Sequence, residues 1–274
     1  MTSEQFTTAF THLRGGFFVE RSALLSPRER IRVVWESADG TPVVGGMASA
    51  ILHGSKWHDA DFTVELFRHP TGSTKRGRGS RIHRTDLAES DTITLDGIPT
   101  TAVIRNAYDL GRRKGPDWRI LGWLDSLCRA TGFSPEQLLA YTEGRDGYRG
   151  IRQLRNLIPL IDGRAESPPE SWTRLMMIRA DLPTPDLQIV VADETGYEFA
   201  RIDLGYELLK IGIEYNGKEF HSSDEQKAHD SWRNEQLERL GWIMIHIDAD
   251  RLRNDPWGII AEIEEALRER GGYF

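Results

Sequence analysis

The feature that most constrains the fold is the stretch 201–247, which places acidic side chains inside strand-like apolar runs. Two such runs contain Asp203 and Glu214, and an ionised carboxylate is costly to bury unless it meets a cation or a hydrogen-bond donor. Under the two-residue period of a strand, Glu214 and Asn216 project to the same side of the second run. The pattern predicts a polar site built on neighbouring strands.

The second half of this stretch predicts a helix followed by a third strand. Ser223 with Gln226 three residues later has the capping-box spacing of a helix start. Gly241 is typical of a helix end, and residues 242–247 form an apolar run of strand length. The expected order is therefore strand, strand, helix, strand.

Further polar side chains lie on this helix and in the loop before it. Asp230 and Arg233 are one helical turn apart and face the same side, and His221 precedes the helix. Carboxylate oxygens suit a hard divalent cation such as Mg²⁺, with Mn²⁺ as a substitute, and a histidine titrates near neutral pH. The sequence predicts a metal site on Asp203 and Glu214 beside a group that moves a proton.

The spaced residues also carry a resemblance to a known family. They are Asp203, Glu214-Tyr215-Asn216-Gly217, His221, Asp230, Arg233, Leu237 and Gly241-Trp242. This series resembles the very-short-patch-repair-type endonuclease domains of the PD-(D/E)XK nuclease superfamily, in particular the stand-alone DUF559 branch. Residues 167–170 resemble the acidic first-helix motif of that branch, so the resemblance covers residues 166–274. The superfamily's lysine, two residues after the glutamate, is Asn216 here.

The resemblance implies a metal-dependent DNA endonuclease that acts in DNA repair or defence. Asp203 would bind Mg²⁺ directly, and Glu214 or the neighbouring main chain would complete the site through waters. His221 would act as general base or position the water. Asp230 would orient His221 or a second metal's water, and Arg233 would pair with Asp230 or with the phosphate. Asn216, which stands in place of the superfamily's lysine, donates hydrogen bonds but carries no charge.

Structural explanations stay open for the same residues. Asp203 can cap a turn, Glu214 can pair with Lys210 or Lys218, and His221 can be an ordinary loop histidine. Glu170 is explained equally well by the helix dipole alone and by a role as an auxiliary metal or water ligand. A tight hairpin would also leave the two strand carboxylates about 10 Å apart, so the site requires a bulge or an asymmetric turn.

The front half of the chain differs from the back half in charge. Residues 166–274 carry 12 Lys and Arg against 23 Asp and Glu, whereas residues 1–165 carry 23 against 19. The segment 68–84 contains no acidic residue. Its predicted contacts to a nucleic-acid backbone are Lys75, Arg76, Arg78, Arg81 and Arg84. A solvated loop without a partner explains these residues equally well.

A second resemblance covers about residues 45–160. It is carried by HGS at 53–55, TVEL at 63–66, IHRTDL at 82–87, GIPTTAVIRNAYDLGRR at 97–113 and YRGIRQLR at 148–155. These segments are similar to the AbiEi-type antitoxin-like region that often precedes the nuclease domain in actinobacterial proteins. The resemblance implies nucleic-acid association and a defence or toxin–antitoxin context, and it assigns no catalytic residues. A helix is predicted over Ser3–Leu13 and another over Pro27–Trp35, as in a small winged-helix-like unit.

These features predict two domains of α+β class. A linker rich in Gly and Pro places the boundary near residue 165. We expect an α+β domain over 1–165, and the resemblance implies a restriction-endonuclease-like mixed sheet flanked by helices over 166–274. The alternative to the endonuclease is a non-catalytic DNA-binding regulator or antitoxin-like protein with a degenerate nuclease fold. A nuclease directed at RNA is a weaker option.

Composition limits the remaining classes. The chain has 39% hydrophobic and 28% charged residues, as soluble globular proteins do. It contains no apolar run of membrane-spanning length and no signal-peptide pattern, so we expect a cytoplasmic protein with DNA and no membrane as partner. The single Cys128 excludes an internal disulfide and a cysteine-based zinc cluster. A homodimer remains open.

Overall fold

The structure, a computed structural model, divides the chain into two compact units, Met1–Ile161 and Asp162–Phe274. The sequence analysis placed the division after residue 165. The described residues are 2, 5, 8–12, 18–20, 25–71, 79–217 and 224–272, without the side chains of 11 and 224–227. No helix in these ranges is long and apolar enough to span a membrane.

The first unit is organised around a five-stranded mixed sheet. Its strands are β1 (Phe10–His12), β2 (Phe18–Glu20), β3 (Val43–Gly45), β4 (Val64–Arg68), β5 (Ser80–Arg84), β6 (Thr92–Leu95) and β7 (Ile98–Thr101). The sheet order is β5-β4-β3-β7-β6, and β1 pairs separately with β2. Within the sheet β4 pairs with β5 and β3 with β7 in parallel, while β3–β4 and β6–β7 are antiparallel.

Helices of the first unit begin at clear sequence signals. They are α1 (Pro27–Ser37), α2 (Gly46–Leu52), α3 (Val103–Gly111), α4 (Asp117–Thr131), α5 (Pro135–Tyr141) and α6 (Ile151–Leu157). Ser26 caps α1 and Ser134 caps α5, each in a capping box completed by the third helical residue. Fully buried leucines of α4 and α6, among them Leu124 and Leu154, belong to the core of this unit.

The helix predicted over Ser3–Leu13 is wrong at residues 10–12. These residues form β1, which pairs antiparallel with β2 in the register Thr11↔Val19. Aromatic and β-branched residues dominate both segments, and such residues favour strands once a partner strand is available. Cross-strand pairing, which the helical pattern could not reveal, decided the conformation.

The second unit contains a four-stranded mixed sheet with helices. Its elements are α7 (Pro168–Arg179), β8 (Asp186–Ala192), β9 (Glu198–Tyr206), β10 (Ile211–Tyr215), α8 (Asp224–Arg239), β11 (Ile243–Ile247), α9 (Ala249–Asn254) and α10 (Pro256–Glu269). The sheet order is β11-β10-β9-β8, with only β10–β11 parallel. Strand, strand, helix and strand occur in the predicted order, and both units combine a mixed sheet with helices. The predicted α+β class is therefore confirmed.

The connection between β9 and β10 sets the geometry of the polar site. A 3-10 turn over Glu207–Leu209 is followed by Lys210 with φ of 52°, so the two strands are not joined by a tight hairpin. The strands then pair in the register Ile211↔Tyr206. This is the asymmetric turn that the sequence analysis required.

Candidate active site

Asp203 and Glu214 come together at the far end of the β9–β10 pair. The last recorded pair of the ladder is Ile213↔Leu204, and one further step along both strands leads to Glu214 and Asp203. The backbone N–H of Tyr215 donates a hydrogen bond to Asp203 Oδ2 at 3.1 Å. The longer turn therefore removes the 10 Å separation that a tight hairpin would have imposed.

Glu214 is held by an arginine of the following helix. Its side chain is 8% exposed, and both guanidinium Nη atoms of Arg233 donate to its carboxylate, Nη1 to Oε2 at 3.2 Å. Arg233 thus pairs with Glu214, whereas the sequence analysis expected Asp230 or the phosphate as its partner. Lys210 is not the partner of Glu214 either, because its Nζ donates to the carbonyl of Leu240 at 2.7 Å. The charge of Glu214 is compensated within the protein.

Glu170 joins the site from the first turn of α7. It is 4% exposed, and its Oε2 accepts from the backbone N–H of Glu166 at 2.8 Å and from Gln188 Nε2 at 3.0 Å. The pKa of Glu170 is raised to about 7, mainly by burial and to a smaller extent by the charge of Asp203. The acid therefore titrates near neutral pH and does more than favour the helix dipole.

Asp203 also lies in surroundings that disfavour its charged form. Burial is the main cause that raises its pKa above the ordinary value, and the negative charge of Glu214 adds to it. The Tyr215 N–H and the charges of Arg233 and Arg201 act in the opposite direction without cancelling the rise. Burial, more than repulsion between the carboxylates, therefore favours the protonated form of Asp203.

Two residues of this region were missed by sequence reasoning. His246 on β11 pairs in register with Glu214, and its Nδ1 lies 4.0 Å from Oε2 with no hydrogen-bond partner among the described residues. Gln188 on β8 has φ of 56°, a left-handed conformation, and donates to Glu170. The sequence signal that could have revealed them is a polar residue inside an apolar strand, His246 in IMIHI and Gln188 in DLQIVVA.

Two other predicted residues, Asp230 and Asn216, do not join this cluster, and the position of a third is not described. His221 lies outside the described residues. Asp230 is exposed on α8, and the Asn216 side chain is exposed just beyond β10. The backbone N–H of Asn216 donates to the Ile247 carbonyl at 2.7 Å, which continues the β10–β11 pairing. In the described ranges the site therefore consists of three carboxylates, their arginine and their two polar neighbours.

The carboxylates offer a limited set of metal ligands. Within the ranges that the structure describes, no group of three or more His, Cys, Asp or Glu side chains is arranged to hold a metal ion. Among the described residues, Asp203 Oδ1 and Glu170 Oε1 nevertheless accept no hydrogen bond. Mg²⁺ commonly uses one or two carboxylates and keeps several waters, so the donor chemistry of this pair fits such an ion.

The cations predicted to contact nucleic acid lie in the first unit. Arg81 and Arg84 are on β5, where Arg81 pairs in register with Glu65 and Arg84 Nη1 donates to the Pro70 carbonyl at 2.6 Å. Lys75, Arg76 and Arg78 lie outside the described residues. Both described arginines are exposed.

Comparison with known proteins gives relatives but no activity. No family model and no solved structure matches the chain. The chain is similar to uncharacterized protein MT2308 of Mycobacterium tuberculosis strain CDC 1551 / Oshkosh and to uncharacterized protein Rv2248 of strain H37Rv. In both cases identity is 34% over 221 residues, which cover 80% of this chain and 79% of the relative.

Proposed function

The chain belongs to the family of these two mycobacterial proteins, and we propose that it is a metal-dependent DNA endonuclease whose active site is the carboxylate cluster of the second unit. The observation that carries this proposal is a pair of acids, the half-buried Asp203 and the buried Glu170, whose charges interact and which no arginine holds in an ion pair within the described residues. Both pKa values are raised, while Arg233 already occupies Glu214. A divalent cation bound between two carboxylates relieves their mutual repulsion. The repulsion remains when no cation is bound.

Asp203 and Glu170 would hold the ion through their free carboxylate oxygens, with Mn²⁺ able to replace Mg²⁺. The chemistry that the ion supplies when bound is polarisation of the scissile phosphate and stabilisation of the leaving oxyanion. Without an ion, mainly burial raises the pKa of Glu170 to about 7, so binding of the ion near neutral pH would displace the proton from this acid.

Arg233 and His246 have supporting parts in this proposal. Arg233 fixes the Glu214 carboxylate at the end of β10, and Tyr215 next to it donates its backbone N–H to Asp203. The pair therefore positions the end of β10, whose backbone holds the Asp203 carboxylate on β9. His246 Nδ1 lies 4.0 Å from the Glu214 carboxylate on the neighbouring strand. His221 remains our sequence-based prediction for the general base.

DNA is proposed as the substrate because of the resemblance of residues 166–274 to very-short-patch-repair-type endonuclease domains. The proposal includes a cytoplasmic location, where the chain would meet chromosomal or invading DNA. A role in repair or in defence would both use this cleavage chemistry.

A non-catalytic DNA-binding regulator is the second candidate, and two observations favour it. The uncharged, exposed Asn216 stands where the nuclease superfamily carries lysine, and Arg233 neutralises Glu214. Loss of the lysine removes a cation that would stabilise charge on the phosphate. This candidate keeps the fold and the DNA partner but lacks hydrolysis.

Cleavage of supercoiled, linear, mismatched and single-stranded DNA tests the proposal in Mg²⁺ and in Mn²⁺. The parent protein should cleave at least one substrate, and Asp203→Asn should lower the rate by about 10²–10³-fold, the range expected when one essential stabilising group is lost. Asp181→Asn is the matched control, since Asp181 is exposed in the same unit and Asn also tolerates its left-handed backbone.

Three outcomes separate the candidates. Metal-dependent cleavage that Asp203→Asn abolishes and Asp181→Asn preserves supports the endonuclease. Binding of DNA by the parent without cleavage in either metal supports the regulator. Equal cleavage by the parent and by Asp203→Asn would show that the carboxylate cluster is not the active site.

A further inference from the structure

A second charged feature lies wholly within the first unit. A cleft of about 610 Å³ opens between β4, β5 and the end of α3. Of its thirteen described lining residues seven are Arg or Lys and two are acidic. The cleft is therefore strongly cationic, whereas the cluster of the second unit is acidic.

The two acids of the cleft are already compensated. Glu65 is 7% exposed and contacts the guanidinium of Arg113, while His83 Nε2 lies 2.9 Å from its Oε2. Burial opposes ionisation of Glu65, but His83 and Arg113 outweigh it and hold the pKa of Glu65 below its ordinary value. Asp109 contacts Arg105 at 2.8 Å and Arg112 at 3.4 Å. Neither acid is available to neutralise the remaining cations.

Four exposed cations line the cleft and carry that excess: Arg84, whose Nη1 donates to the Pro70 carbonyl, and three others. Arg81, Lys114 and Arg149 have no recorded acidic partner in the described part of the chain. They come from separate segments: β5, the residues after α3 and the residues before α6. Local sequence spacing therefore does not explain their convergence, and the fold brings them to one cleft.

The floor of the cleft is rigidly built around Arg112. Its Nη1 donates to the Arg149 carbonyl at 3.0 Å, and its guanidinium lies 4.1 Å from the ring centroid of Tyr108. Gly150, with φ of 80°, packs so closely on the Arg112 backbone that a Cβ there would lie 2.2 Å from the carbonyl oxygen. The segments that bear Lys114 and Arg149 are thereby held against each other.

We propose that this cleft binds a phosphate group, presented either by a nucleic-acid strand or by a free phosphate compound. Arginine guanidinium groups match phosphate oxygens in pairs, and lysine adds a mobile point charge. Arginines that are already held by protein contacts offer a phosphate fixed hydrogen-bond donors beside the exposed cations. Binding then costs little conformational entropy of these side chains. The proposal uses residues of the first unit only, and it stands whether or not the second unit cleaves DNA.

Binding is measured on the full chain in EDTA, so that metal-dependent cleavage is absent. The probes are inorganic phosphate and pyrophosphate by calorimetry, and fluorescein-labelled single-stranded and duplex 20-mers by anisotropy. The test variant combines Arg81→Gln, Lys114→Gln and Arg149→Gln. The matched control combines Lys56→Gln, Arg119→Gln and Arg152→Gln, which removes the same charge from exposed positions of the same unit outside the cleft.

The cleft variant should bind the responsive probe at least about 10-fold more weakly than the parent, and the control should change affinity by less than about 2-fold. Loss of pyrophosphate binding identifies a free phosphate compound, and loss of oligonucleotide binding alone identifies a nucleic-acid strand. Equal weakening in both triple variants, or no binding of any probe, would overturn the proposal. All assays lack divalent ions and both triple variants change the first unit only, so their outcome does not depend on whether the second unit cleaves DNA.

Discussion

The two units contain the same buried ion pair in opposite electrostatic surroundings. Glu65 on β4 contacts Arg113, and Glu214 on β10 contacts Arg233; the glutamates are 7% and 8% exposed. Around Glu65 the additional groups are a histidine and unpaired cations. Around Glu214 they are two more carboxylates. An identical pairing thus stands at the centre of a cationic cleft in one unit and of an acidic site in the other.

The pKa directions express this difference. His83 and Arg113 lower the pKa of Glu65 despite burial, whereas burial and mutual repulsion raise the pKa values of Asp203 and Glu170. Burial also raises the pKa of Asp109 in the cleft, so the neighbouring side chains, and not the pKa directions alone, distinguish the two sites. From the sign of these neighbours we propose an anionic ligand for the first unit and a cationic one for the second.

The largest effect is expected from Arg233→Met in the second unit. This change leaves Glu214 buried without its arginine, and removing one partner of a buried ion pair costs about 3–5 kcal/mol. Hydrogen exchange of peptides from β10 measures the loss for this unit alone. Adding Glu214→Gln to the same variant should restore most of the protection, because the uncompensated charge is then absent.

Arg113→Met is the corresponding change in the first unit, and its cost should be smaller. His83 stays 2.9 Å from Glu65, so the expected loss of protection in β4 is about 1–2 kcal/mol. If Arg113→Met costs as much as Arg233→Met, His83 does not compensate Glu65 and the comparison between the two pairs fails.

The pH dependence of the second unit should give the next effect. In the folded state the pKa of Glu170 is about 7, compared with the ordinary 4.5 that applies when the chain is unfolded. Folded Glu170 therefore keeps its proton between these values while the unfolded chain releases it. The contribution of Glu170 to the free energy of unfolding should be largest below about pH 4.5. It should decrease by roughly 2–3 kcal/mol as the pH rises to about 7.

Exchange of α7 and β9 peptides at pH 5 and pH 8 measures this change. Glu170→Gln should remove most of the difference, because glutamine does not titrate. Glu238→Gln, at an exposed position of α8, should leave the difference as it is in the parent. A parent unit whose protection rises between pH 5 and pH 8 would contradict the assigned direction.

Sequence reasoning predicted the parts of the fold and of the site that depend on patterns among neighbouring residues. A helix from Pro27 was predicted and is observed as α1, and strand-like runs located β9 and β10. Carboxylates inside apolar strands drew attention to Asp203 and Glu214, since burial of charge is costly. Glu170 was visible from its place in the first turn of a capped helix.

Contacts between distant segments could not be read in the same way. The partner of Arg233 depends on how α8 packs on β10, and the register of Asp203 with Glu214 depends on the turn over Glu207–Leu209. Helical spacing alone paired Arg233 with Asp230, which proved to be exposed. The cationic cleft escaped notice because its open cations belong to three separate segments.

Calorimetric titration of Mg²⁺ and Mn²⁺ into the full chain at pH 8 tests most directly the claim that Asp203 and Glu170 form a cation site. The parent should bind one divalent ion per chain, while Asp203→Asn should lose that binding and Asp181→Asn should keep it. No binding by the parent, or equal binding by the parent and Asp203→Asn, would contradict the claim.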